Sequence, residues 1–500
     1  MAYLIGLDIG TSGVKGVLLG EDGTVSASSV REYPLATPQP GWAEQNPEDW
    51  WRGTVEVLRE LTAAAKGETV AGLGLTGQMH GATFLDERGE VIRPAILWCD
   101  QRTEAECAEI TSAVGSDNLQ RITANPALTG FQAPKIVWLR NHEPGNYDRV
   151  AHVLLPKDYV RYRLTGAMYS DVSDASGTTL FDVPNRKWSS EVLSALKIPA
   201  GWLPPAEEGT ARTGTVSPEC EELTGLKTGT PVAAGGGDQA AGAVGAGIVR
   251  EGVVSSTVGT SGVVFAYANE PWVDPEGRIH TFCHAVPGAW HVMGVMLSAG
   301  GSLRWFRDTF GYQGYDEINR EAASVPAGSD GLVFLPYLSG ERTPHKDPNA
   351  RGVFFGLSLS HTRAHMARAV MEGVAYSLND AFRIFRELNV PLQEVRALGG
   401  GARSPVWLQI QADVTGLPHH RLNVDEGPAY GAAILAGVMA GTFQSVPEAT
   451  DRFIRRTDSV EPNPARADRY AEAVSLYRSL YRSLAREFPK THRLIDTNKG

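Results

Sequence analysis

One short pattern occurs twice in this chain, and that repeat limits the possible folds more than any other feature. Residues 4–19 read Leu-Ile-Gly-Leu-Asp-Ile-Gly-Thr-Ser-Gly-Val-Lys-Gly-Val-Leu-Leu, and residues 253–265 read Val-Val-Ser-Ser-Thr-Val-Gly-Thr-Ser-Gly-Val-Val-Phe. Each copy is an apolar run, a Gly-Thr-Ser-Gly corner and a second apolar run, which predicts a hairpin of two strands; the first copy ends on the turn signal Glu21-Asp22-Gly23. The copies sit near the starts of the two halves of a 500-residue chain. Two like-folded α/β domains are therefore expected, spanning 1–245 and 246–490, with a cleft between them. Gly10 and Gly13 would admit positive φ and turn N–H groups outward, while Thr11 and Ser12 add hydroxyls and Lys15 a charge. Such a corner can cradle phosphate or simply turn the chain. Aligned on the corner, Asp8 falls opposite Thr257. A carboxylate in one copy alone suits a single hard cation that bridges phosphates.

The charge balance narrows the partners. Asp and Glu number 57 against 46 Lys and Arg, a net charge of −11 without any basic run, which argues against binding a nucleic-acid backbone. Cys99, Cys107, Cys220 and Cys283 are widely spread with no Cys-x-x-Cys, so neither a zinc site nor a disulfide framework is expected. The first residues lack the basic region and apolar core of a signal peptide, and no apolar run reaches the ~18 residues of a membrane span. A cytoplasmic protein is the expectation.

Along the chain, polar groups repeatedly follow apolar strands. Residues 69–76 form a short buried strand that runs into Gly77-Gln78-Met79-His80-Gly81. α/β folds place ligand groups at such strand ends. Residues 94–98 end in Cys99-Asp100-Gln101-Arg102, and Lys157-Asp158 opens a helix after another strand; these charged groups could meet a ligand or each other. The Ser/Thr/Asp-rich stretch 170–181 reads as irregular, and more as a solvated loop than as the lining of a cleft. Residues 230–239 are a strand, a triple glycine and Asp238-Gln239, which open a helix of small residues able to pack closely at a domain junction. Asp238 there could be no more than an N-cap. A second small-residue helix begins near 427, and Tyr470, Val474, Tyr477, Leu480, Leu484 and Phe488 define one face of a terminal amphipathic helix that covers core.

Glycine-rich corners at 10–13, 259–262, 299–301 and 399–401 all follow apolar strands, and several open helices whose first N–H groups favour anions. Together they predict a nucleotide cleft that is neither a P-loop nor a dinucleotide fold. The motifs Asp8-Ile9-Gly10-Thr11-Ser12, Gly237-Asp238-Gln239, Gly259-Thr260-Ser261-Gly262, Gly399-Gly400-Gly401-Ala402-Arg403-Ser404 and the stretch 427–433 resemble the FGGY carbohydrate kinases. Residues 131–139 and 352–372 look like the two signatures of that family. The resemblance implies two duplicated ribonuclease-H-like domains of the actin-like ATPase type, with ATP and Mg²⁺ required and a small ketose as acceptor. It also implies a sugar-binding N-terminal domain and a nucleotide-binding C-terminal one.

Asp238 would be the base that takes a proton from the sugar, kept ionised by the helix N–H groups, and Asp8, with Asp238, would hold magnesium. Thr11, Ser12, Lys15, Thr260 and Ser261 would contact phosphates, and Gly300, Gly400, Gly401 and Ser404 would bound the adenosine. Met79, His80, Trp98 and Gln239 would line the sugar pocket. The 77–81 loop is similar to that of family members acting on D-xylulose, whereas glycerol-specific members carry Arg-Glu at the positions of Met79 and His80. D-Xylulose 5-phosphate is thus the implied product, with ribulose, gluconate or glycerol as competing acceptors. An ATP-driven binding module on the same fold is the competitor from another class; it would need a further domain, and only the helix near 464–488 follows the second half. A homodimer is compatible with the resemblance; neither a membrane nor a nucleic-acid partner is.

Overall fold

The structure is a computed structural model that describes residues 2–491. Two seven-stranded sheets dominate it. The first runs in the order Arg212–Thr215, Pro231–Ala233, Thr69–Gly77, Ala2–Ile9, Gly13–Gly20, Val25–Glu32, with the two-residue strand Gly236–Gly237 also pairing with Thr69–Gly77. The second runs His280–Cys283, Trp290–Met296, Gly262–Ala268, Gly252–Val258, Leu392–Leu398, His419–Leu422, Arg456–Val460. In each, the opening strand is central: its hairpin partner lies antiparallel on one side and a later strand lies parallel on the other. The sequence repeat is a structural repeat.

The opening strand is apolar on both faces because both are covered. Leu4, Ile5, Leu7 and Ile9 are fully buried. On one side the helix Pro47–Ala64 packs Trp50, Trp51, Leu58 and Leu61 into the same core as Ile5, Leu7 and Ile9. On the other lies the helix Pro428–Met439, from the second half of the chain. A Cβ at Gly6 would fall 1.9 Å from the Ala429 carbonyl oxygen, and one at Gly74 1.9 Å from that of Ala432. Backbone meets backbone there, which only small residues permit. In exchange, the helix Asp238–Gly245, from the first half, places Ala243 against Phe265 and Met293 of the second sheet. The two exchanged helices also touch: a Cβ at Gly431 would lie 1.8 Å from the Ala241 carbonyl oxygen.

Two expectations fail. None of Gly10, Gly13, Gly259 and Gly262 adopts positive φ. At Gly13 the constraint is space instead, since a Cβ would sit 2.4 Å from the Arg31 carbonyl oxygen. The stretch 170–181 is not solvated either: Ser170, Asp171, Ser173, Asp174, Ser176 and Thr178 are all buried, in the two-residue strand Ser170–Asp171, the one-turn helix Val172–Ala175 and a 3₁₀ turn. Asp171 and Asp174 meet Lys157 there, and Ser173 accepts from the Gly237 N–H. The terminal helix Ala467–Leu484 does bury Tyr470, Val474, Tyr477 and Leu480. Among the described residues no helix is long and apolar enough to cross a membrane.

Candidate active site

Two adjoining cavities lie along the second sheet's opening hairpin. The larger, 420 Å³, is lined by Thr260, Gly300, Gly400, Gly401 and Ser404, all expected at the nucleotide. Their glycines are needed for close approach: a Cβ at Gly300 would lie 2.4 Å from the Gly259 carbonyl oxygen, and one at Gly401 2.5 Å from Val258 Cβ. The N–H groups of Gly300 and Gly301 do not await an anion, because they donate to the carbonyls of Gly259 and Thr260 at 2.7 and 3.0 Å. Ser404 caps the helix Pro405–Thr415 and donates to Asn319 Oδ1 at 2.7 Å. Tyr315, Asp316 and Asn319 also line this cavity; they sit on an amphipathic helix with no glycine corner to mark it, so sequence patterning passed over them.

The smaller cavity, 210 Å³, holds Asp238 and Gln239. It abuts the first along the 257–260 and 398–401 segments, which line both. Asp238 starts its helix, and the Gln239 N–H donates to its Oδ1 at 2.7 Å. That hydrogen bond favours the carboxylate, yet burial outweighs it and pushes the Asp238 pKa up to about 6. The helix start thus does not hold the group at an ordinary acidity, although the carboxylate still predominates at neutral pH. Asp8 is pushed up to about 7, first by burial and then by the charge of Asp238, with Lys15 opposing. Asp8 Oδ1 is buried and has no hydrogen-bond partner.

The first corner reaches the same crevice. Lys15 Nζ, however, pairs with Glu426 Oε2 at 2.7 Å and with the Glu426 carbonyl at 3.2 Å. Ser12 and Ser261 are exposed at the two corner tips. Thr11 Oγ1 accepts from Trp98 Nε1 at 2.9 Å and donates to Gln78 Oε1 at 3.2 Å. Gln78 and Gln45 in turn brace the corner's backbone, so Gln78 is a support for the turn.

On the acceptor side, Met79 is buried against Gly237. His80 adopts φ of 68°, and its carbonyl accepts from Lys135 Nζ at 2.7 Å. His80 Nδ1 donates to the Gly177 carbonyl at 2.7 Å, which leaves Nε2 as an acceptor. Burial and Lys135 push its pKa down to about 3, so the ring is neutral. The ring stacks on Phe131 at 4.6 Å, beside Phe282 and His280 of the second half. Sequence reasoning gave Phe282 and His280 no role, since their neighbours come from distant parts of the chain. Asp100 and Arg102, left open above, pair with each other at 2.7 Å with side chains 0% and 1% exposed. Lys157 and Asp158 likewise pair, at 2.6 Å, fully buried.

Residues 3–245 match the N-terminal domain, and residues 254–440 the C-terminal domain, of the FGGY family of carbohydrate kinases. The chain belongs to that family, and its fold is the duplicated α/β architecture of the actin-like ATPases. It is 42% identical to the xylulose kinase of Escherichia coli (strain K12) over 481 residues, covering 96% of this chain and 99% of that one. It is 40% identical to the xylulose kinase of Bacillus subtilis (strain 168) over 484 residues, covering 96% and 97%. The crystal structure of xylulose kinase from Rhodospirillum rubrum superposes with a TM-score of 0.92 at 34% identity, covering 97% of this chain and 99% of that one.

Proposed function

We propose that this carbohydrate kinase transfers the γ-phosphoryl group of ATP to the 5-hydroxyl of D-xylulose, with Asp238 as general base. The observation that carries this reading is the place of Asp238: a half-buried carboxylate between a cavity bounded by glycine corners and the loop that bears Met79 and His80. The xylulose kinases at about 40% identity over nearly the whole chain support the choice of sugar.

In the proposed step the sugar oxygen attacks phosphorus as its proton passes to an Asp238 carboxylate oxygen; the new O–P bond forms, the bond to the β,γ-bridging oxygen breaks, and ADP leaves. A pKa raised to about 6 makes Asp238 a stronger base than a solvated carboxylate while leaving it mostly ionised at pH 7. Neutral His80 would accept a sugar hydroxyl at Nε2, with Met79, Trp98 and Gln239 completing the pocket. Thr260, Gly300, Gly400, Gly401 and Ser404 would enclose the nucleoside. Thr11, Ser12, Ser261 and, once released from Glu426, Lys15 would meet the phosphates.

The orphaned Asp8 Oδ1 and the mutual repulsion of Asp8 and Asp238 fit a divalent cation. Among the described residues no group of three or more His, Cys, Asp or Glu side chains forms a metal cage; magnesium at Asp8 would keep most of its ligands as water and phosphate oxygens. Bound there, magnesium would neutralise charge across the phosphates. On this reading the 1–245 segment presents the sugar and the 246–490 segment the nucleotide. ATP as donor and four free cysteines fit a cytoplasmic setting.

A panel of D-xylulose, D-ribulose, gluconate and glycerol with ATP tests the assignment. D-Xylulose should give the highest kcat/KM; a higher value for any of the others would overturn the choice of substrate.

A further inference from the structure

We propose that Ser173 is a positioning residue for Asp238, and that the buried charge network behind it exists to fix the strand from which Asp238 projects. This rests on the reading of Asp238 as the base. The Gly237 N–H donates to Ser173 Oγ at 3.1 Å, and Ser173 Oγ donates to Asp171 Oδ1. Asp171 Oδ2 meets Lys157 Nζ at 2.7 Å, and the same ammonium meets Asp158 at 2.6 Å and Asp174 at 3.2 Å. Arg161 joins through Asp158 and donates to the carbonyls of Ala233, at 2.7 Å, and Ala234. The network thus grips the chain at residues 233, 234 and 237, directly ahead of Asp238.

Lys157, Asp158, Arg161, Asp171, Ser173 and Asp174 are all 0% exposed. Buried ion pairs of this kind add little stability over well-packed apolar residues, because desolvation offsets their attraction. Placement is what they supply. Burial pushes the Asp174 pKa well upward, with the Lys157 ammonium opposing. The gripped strand has little room to shift. A Cβ at Gly236 would lie 2.9 Å from Ala285 Cβ, and one at Gly237 2.8 Å from Met79 Cγ. Ser173 therefore holds the Gly236–Gly237 peptide, one residue ahead of the base, and small displacements of a reacting group cost rate far more than affinity.

Steady-state kinetics of Ser173→Ala, in the parent and in an Asp238→Asn background, test this. In the parent, kcat should fall about 10- to 100-fold with both KM values within about twofold, and Ser173→Thr, which keeps the hydroxyl, should recover most of the loss. In the Asp238→Asn background the same substitution should cost nothing further, since residues acting as a unit are not additive. Should Ser173→Ala fail to fold, the near-isosteric Ser173→Cys reads the same split of kcat from KM. The proposal is overturned by a kcat within about twofold of the parent, by a loss confined to KM, or by an equal loss in both backgrounds. Any of these beside an inactive Asp238→Asn leaves the base assignment standing, whereas full turnover by Asp238→Asn alone overturns both.

Discussion

Lys15 and Glu426 meet across the crevice at 2.7 Å, each about one-third exposed (32%). An ion pair that open to water is worth about 0.2–1 kcal/mol. If Lys15 must leave Glu426 to reach phosphate, Glu426→Gln should lower the Kd for ATP by a factor of about 1.5–5, the same energy expressed as affinity. Titration calorimetry would show it, and weaker binding would mean that Glu426 helps the nucleotide. Arg102 is a contrasting case. It is nearly fully buried against Asp100 and stacks 3.5 Å above the Trp42 ring. Arg102→Leu should destabilise the fold by about 3–5 kcal/mol, because it strands a buried carboxylate; urea unfolding within 1 kcal/mol of the parent would contradict that figure. His80 and His284 are both pushed down to about 3 by burial. Their folded pKa values lie below the unfolded value near 6.5, so stability is withdrawn as pH falls through 6.5 toward 3. Their ring resonances should stay constant between pH 8 and pH 5; a titration midpoint inside that range would refute their neutrality.

The exchanged helices decide how rigidly the crevice floor is built. Gly431 packs directly on the backbone of the 238–245 helix, where a Cβ would lie 1.8 Å from a carbonyl oxygen. Gly431→Ala should therefore destabilise the protein by about 1–3 kcal/mol or more despite its better helix propensity, measured as a lower urea midpoint; an unchanged midpoint would show that the helices can separate freely. Small residues at 239–247 announced close packing, but not that each helix would cover the other half's sheet, because no local pattern names a distant partner. The stretch 170–181 misled for a related reason. Its Ser, Thr and Asp content reads as solvated, and only the fold reveals that Lys157 and the Gly237 backbone take the place of water. The corner glycines were found correctly yet explained wrongly: none takes positive φ, and Gly13 answers instead to space at the Arg31 carbonyl.

At the scale of the molecule, the duplicated hairpin was fully legible, since both copies keep the same corner and the same pattern of strand pairing. The cavity bounded by residues 260, 300, 400, 401 and 404 was legible for the same reason: glycines at strand ends survive as a one-dimensional signal. The aromatic wall of Phe131, Phe282 and His280 was not, as it forms only when the halves meet. A crevice between two halves that must exclude water should close on its ligands. Small-angle scattering should give a smaller radius of gyration with D-xylulose and a non-hydrolysable ATP analogue than without them; superimposable profiles would argue against closure.

The central claim is that one half-buried acid at the junction of the halves deprotonates a sugar for ATP. Its most direct test is kcat for D-xylulose phosphorylation by Asp238→Asn beside the parent, with ATP affinity measured in parallel. A fall of about 10²–10⁴-fold or more with ATP affinity unchanged is predicted. Turnover within about tenfold of the parent would contradict it.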